Sequence, residues 1–288
     1  MGRVVMNWRL SFSVRCIGAV AAAICMIVTP ALAQHGNTIE RIHKLAPGGS
    51  APRTTDGHPD LSGVWFPNSA GQALNAARLV GDDPADEDAR RQFDPKVTPE
   101  GKPSFQPWAA AKIKAMTSTE SQLERPSVNC LPRGVPGMLA TAYPIQLVST
   151  PGQLVELVEL NNNFRVVRIG GGAHTKNPDP LFNGDAIAHW EANTLVIDTI
   201  SLDERTWNDL NGWFHSDQEH VTERISRPSK NYLVYQITID DPKVLTKPWT
   251  SAPRRWSLSH DILQEYYCTE NYEIEELQKI RDKESRGK

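Results

Sequence analysis

The stretch NGWFHSDQEHVTERIS, residues 211 to 226, sets His215 and His220 among Asp217, Glu219, Glu223 and Arg224. Imidazoles beside carboxylates serve two chemistries, metal binding and proton transfer near neutral pH. Spacing separates the two. Five residues apart, the rings are turned about 140° from each other on a helix and lie on opposite faces of a strand. The zinc-enzyme pattern of two histidines at i and i+4 is therefore not matched, and no metal or other cofactor is expected. A metal held by His174, His215 and His220 would need His215 on a loop that folds back.

Taken as a strand, residues 219 to 226 put Val221 and Ile225 on the inner face, and Glu223 goes inward with them. An unpaired buried carboxylate costs several kcal/mol, about the price of a domain's whole stability, so Glu223 needs an arginine or hydroxyl partner or a raised pKa. Arg165, Arg168, Tyr235 and Tyr267 are the strand residues that can supply one. His215 follows Trp213 and Phe214 in the loop before this strand. If the strands close into a barrel, that loop lies at the mouth, with Trp207 and Trp213 as apolar walls and Asp217 competing with Glu223 to orient the imidazole. Gly170-Gly171-Gly172-Ala173-His174 is expected to be a mobile loop over the same mouth, with His174 a second catalytic candidate; no strand-to-helix context of a phosphate loop follows it. No G-x-S-x-G elbow is present, which disfavours serine hydrolysis.

The elements that must position these residues are short strands. From Tyr143 onward, YPIQLVS, QLVELVEL, FRVVRI, AIAHW, TLVIDTI, HVTERIS, YLVYQITI, RRWSLS and ILQEYY alternate with breaks rich in Gly, Asn, Asp and Pro, the composition of hairpin turns. LSGVWFP, 61 to 67, is a first strand. The fold class is therefore mainly β. An antiparallel up-and-down barrel around a hollow is the economical closure, because the connections are short and closure removes edges. AGQALNAARLV and PWAAAKIKAMTSTESQ mark a helical and loop insertion at about 70–125, residues 34–60 an extended arm, 61–272 the barrel domain, and 273–288 a charged helical tail.

The first 33 residues carry Arg3, Arg9 and Arg15, an apolar run from Cys16 to Val28 and Ala31-Leu32-Ala33. This is the layout of a secretory signal peptide cut near Ala33, too short in its apolar run to span a bilayer. Its removal takes three arginines and no acids, moving the formal charge from −3 to −6. Such a surface has no reason to bind nucleic acid. A periplasmic or secreted protein with no stable membrane insertion is expected. Cys130 and Cys268 remain, in an oxidising compartment, and should form one disulfide.

TTDGHPDLSGVWFP and GDAIAHWEANTLVIDTISLDERTWNDLNGWFHSDQEHVTERISRP resemble a large family of exported bacterial proteins that share a DGHPDLSGVW opening and a RWEGDTLVVDT…HSD…ER middle. The likeness runs from residue 52 to about 271 and implies no reaction. It departs at Ala192-Asn193, where Gly-Asp is common, and at NPDPLFNGD. Gly63-Val64-Trp65 is also similar to the G-x-W that opens the calycin (lipocalin-like) barrels, which implies an arginine, Arg254 or Arg255, stacked on Trp65.

The function expected is that of an exported barrel enzyme acting on a small, mostly apolar or aromatic molecule by cofactor-independent acid/base chemistry, as an isomerase, lyase or ring-opening enzyme. His215 would be base or acid, Glu223 its partner, and Arg165 or Arg168 would neutralise developing negative charge. The alternative is a carrier that binds a small hydrophobic ligand without chemistry. A structural module with a filled barrel is the third possibility.

Overall fold

The computed structural model describes residues 48–67, 103–140, 143–209, 212–251, 253–268 and 272–286. The leader 1–33, the start of the arm and AGQALNAARLV lie outside the described residues. Ten strands run in chain order: β1 (Gly63–Pro67), β2 (Ile145–Thr150), β3 (Gln153–Val158), β4 (Asn163–Ile169), β5 (Asp185–Glu191), β6 (Thr194–Ile200), β7 (His220–Ser229), β8 (Tyr232–Asp240), β9 (Trp249–Thr250) and β10 (Arg254–Ser259). The described helices are α1 (Pro107–Ala115), α2 (Thr119–Leu123) and α3 (Tyr272–Arg286). The strands β1 to β8 pair in sequence order, and β10 pairs with both β1 and β8. Nine strands thus close a barrel, and β9 adds only a short rung to β8.

Turn chemistry explains the hairpins. Asn161 and Asn162 take positive φ (63° and 46°) between β3 and β4, and Ala192 does so (52°) between β5 and β6. One pair departs from the antiparallel pattern: β4 and β5 are parallel, with Arg168 opposite Ile187 and Ile169 opposite Ala188. The connection there is a 170–184 crossover instead of a hairpin. Gly170 and Gly171, at φ +120° and +72°, turn the chain out of β4, and both donate their N–H to the Ala188 carbonyl, at 3.1 and 3.4 Å. Gly184, at φ +63°, ends the crossover where a Cβ would stand 2.6 Å from the Ile200 carbonyl oxygen. Only glycine fits this approach, and it delivers Asp185 to the start of β5.

Alternation sorts the two faces of the barrel wall. Trp65, Ile145, Leu154, Val167, Ile197, Val221, Leu233 and Trp256 point inward, each with no exposed surface. The inward set also includes Arg165 and Tyr235, both buried, so the interior is lined by large aromatic and charged side chains as well as aliphatic ones. The stacking on Trp65 also differs from the calycin-based expectation. Arg227 of β7 lies over the Trp65 ring at 4.8 Å and donates to the carbonyls of Asp60, Ser62 and Lys230. Arg255 cannot do this because it points outward, over Tyr232, and Arg254 lies opposite Tyr235.

ILQEYY, expected as a strand, joins no ladder. Side chains hold it instead: Asn162 bonds both the N–H and the carbonyl of Tyr266, and Glu159 accepts the Gln264 N–H. The insertion yields α1 and α2, and the Thr119 hydroxyl of α2 donates to Glu284 of α3. No described helix is long and apolar enough to cross a membrane. Cys130 is bonded to Cys268, 138 residues on, tying the segment before β2 to the one after β10. In the Cys130→Ser/Cys268→Ser double variant, urea unfolding is expected to show a loss of about 2–5 kcal/mol; unchanged stability would mean that the cross-link constrains nothing.

Candidate functional site

Three groups of polar side chains emerge, two buried and one open to solvent. The first crosses the barrel interior. Glu156 of β3 and Arg165 of β4 are register partners, and Arg165 donates from Nε and Nη2 to the two Glu156 oxygens at 2.9 and 3.0 Å. On its other side it donates from Nη1 and Nη2 to Glu223 of β7 at 2.7 and 3.0 Å. Tyr235 of β8 donates its hydroxyl to Glu223 at 2.9 Å. Every member is at most 4% exposed. Two carboxylates around one guanidinium leave an uncompensated negative charge. Burial, with Glu223 adding repulsion, pushes the Glu156 carboxyl up to about 7 against the pull of Arg165. Burial and the Glu223 carboxylate also raise the Tyr235 phenol, so it stays a donor.

The second group lies under the loop before β7. His215 is fully buried; its Nε2 meets the Thr206 hydroxyl at 2.7 Å and its Nδ1 the Ser216 carbonyl at 3.2 Å. Its carboxylate neighbour is Glu219, 3.9 Å away, whose other oxygen accepts from Asn208. The expected pairing of His215 with Glu223 is not formed, because Glu223 points into the barrel and is occupied by Arg165 and Tyr235. Asp217 does not orient the imidazole either; it points outward to Lys243. Asp241 fixes the loop by accepting the Ser216 N–H and hydroxyl, both at 2.8 Å. Burial pushes Glu219 up to about 7, against the pull of His215 and the Asn208 hydrogen bond. Trp213 lies in an edge-on aromatic cluster with Phe105 and Trp249, and Trp207 bridges back to Phe214, so both are packing residues of this loop.

The third group sits on the outer face of β5, β6 and β7, beneath the glycine-rich crossover. His174 presents Nδ1 to Asp185 at 3.0 Å and Nε2 to Asp198 at 2.9 Å. His220 presents Nε2 to the same Asp198 oxygen at 2.8 Å. A carboxylate only accepts, so both Nε2 atoms carry hydrogens when Asp198 is ionised. Thr175 donates its N–H and hydroxyl to Asp185, and Arg168 adds a 3.3 Å contact. Burial opposes ionisation of Asp185, but the Thr175 and His174 hydrogen bonds outweigh it and hold this carboxyl below its usual range. The His220 side chain is 40% exposed, and its Nδ1 has no partner among the described residues. Ile187 lies opposite Asp198 and Ile200 opposite Asp185, giving the cluster an apolar floor.

The candidates read from the sequence therefore divide. Glu223, Arg165 and Tyr235 come together in the interior; His174 and Arg168 come together outside; His215 belongs to neither. Tyr267 is exposed and bonds Glu265. Sequence reasoning missed Glu156, Asp185 and Asp198. Asp198 had a signal: it is the one acid in the apolar strand TLVIDTI, one strand from His220. Among the described residues, no group of three or more His, Cys, Asp or Glu is arranged to hold a metal ion.

No protein-family model, curated protein or solved structure matches the chain, so the functional argument rests on this geometry. Two outcomes follow from the buried groups. Arg165→Met leaves two carboxylates facing each other and is expected to cost about 3–5 kcal/mol in urea unfolding; a neutral result would show that the two carboxyls are tolerated in the interior without the guanidinium. Glu219 holds its proton more tightly folded than unfolded, where its pKa is 4.5, so its contribution is complete below 4.5 and is lost as pH rises through about 7. The Glu219→Gln variant should accordingly lose less stability than the parent across that window, and an unchanged slope would contradict the assignment.

Proposed function

We propose that the chain is an exported enzyme acting on a small, mostly apolar molecule by cofactor-independent proton transfer at the outer face of β5–β7. One observation carries this reading: Asp198 fixes the His220 ring through Nε2, and Nδ1 has no partner among the described residues on a side chain that is 40% exposed. A carboxylate that holds one imidazole nitrogen sets the tautomer and stabilises the imidazolium that forms when the other accepts a proton. His220 is the general base in this scheme. His174, boxed between Asp185 and Asp198, is a positioning residue that holds Asp198 and the crossover in place. Arg168, whose side chain is 57% exposed, can neutralise negative charge developing on a substrate. Ile187 and Ile200 provide apolar contact for its body.

Isomerisation, elimination and ring opening all begin with such a proton abstraction. The two buried groups, by contrast, offer a substrate no surface. Export is supported by the leader-like composition of residues 1–33 and by the Cys130–Cys268 bond.

Solvent deuterium incorporation into a panel of small ketones, lactones and β-hydroxy carbonyl compounds is the test. Wild-type exchange is expected to fall about 10²–10⁴-fold in His220→Gln and to fall in Asp198→Asn, with circular dichroism unchanged. Full exchange in both variants would remove the dyad from the chemistry.

A further inference from the structure

A second site, independent of the outer cluster, follows from unpaired donors inside the barrel. Arg254 begins β10 directly opposite Tyr235, and Trp256, two residues on and on the same face, stacks on Tyr235 at 4.7 Å. Arg254 therefore points inward. It is 6% exposed, yet neither Nη1 nor Nη2 has a hydrogen-bond partner, and the Trp256 Nε1 has none either. The two inward carboxylates near this level, Glu156 and Glu223, are both taken by Arg165. A guanidinium stays charged in a protein, and burying it without an opposite charge is strongly unfavourable. Buried donors on one face of β10 with no acceptor are the complement of a ligand that brings one.

We propose that Arg254 anchors a binding site for a small carboxylate monoanion where β10 begins, with the Trp256 Nε1 as a further donor. The parallel N–H groups of the guanidinium match the two oxygens of a carboxylate, which a halide does not offer. Tyr235 lies opposite Arg254 and is stacked on Trp256, so the body of the anion that suits this position is apolar. Binding to the folded state alone makes stability depend on the anion.

The experiment is thermal unfolding of the full chain in sodium benzoate, benzamide and sodium chloride at constant ionic strength. Benzoate is expected to raise the midpoint saturably, whereas benzamide and chloride do not. Arg254→Gln, with circular dichroism unchanged, should bind benzoate about ten- to a hundredfold more weakly. Equal responses to benzoate and benzamide, no response at all, or an undiminished response in the variant would overturn the proposal. If Arg254→Gln does not fold, Arg254→Lys decides, since it keeps the charge and loses the fork; undiminished affinity there also overturns it. His220→Gln retains the benzoate response, so the failure of either proposal leaves the other standing.

Discussion

Arg165 is the constraint on which the barrel interior depends. It is one guanidinium between two carboxylates that have no other cationic partner among the described residues, and it joins β3, β4 and β7 across the inside of the wall. Neither carboxylate can be buried without it, and it cannot be buried without them. Such an arrangement contributes little net stability compared with apolar packing of the same volume. What it fixes is register: a one-residue slip of β3, β4 or β7 would turn a charged side chain out of the triad and an apolar one into its place.

With the interior lined by this network and by large aromatic side chains, the polar cluster that solvent can reach lies on the outside. The parallel β4–β5 pair has a direct role there. A hairpin would have left no room for the crossover that carries His174 and Thr175 across β5. Because the chain leaves β4 at Gly170 and returns at Gly184, His174 lands between Asp185 and Asp198, and the outer face of the barrel acquires a set of titratable groups that solvent can reach. The buried His215 and Glu219 instead secure the long loop that leads into β7.

Alternation made much of the wall legible. Val221, Glu223 and Ile225 share an inward face, and the breaks at Pro151-Gly152, Asn161–Asn163, Ala192-Asn193 and Pro228–Lys230 mark the four tight hairpins, β2/β3, β3/β4, β5/β6 and β7/β8. The inward position of Glu223 and its arginine and tyrosine partners could be argued because a buried carboxylate must be compensated. The pairing of His215 with Glu223 could not be judged, since it depends on which way a loop folds back, and loop paths leave no period in a sequence. ILQEYY failed for a related reason: its composition suits a strand, but its partner is the Asn162 side chain instead of a neighbouring ladder.

By itself, then, the sequence determined what local physics controls: strand faces, turn positions, the leader-like start and the scarcity of cysteines that left one pairing. The tertiary structure alone decided which polar groups meet. Glu156 and Glu223 are far apart in the chain and share one arginine; His174 and His220 meet the same Asp198 oxygen; Arg254 is left with no acid among the described residues. Those outcomes depend on closure of the barrel and the direction of one crossover, which set distances between residues whose separation along the chain carries no information about them.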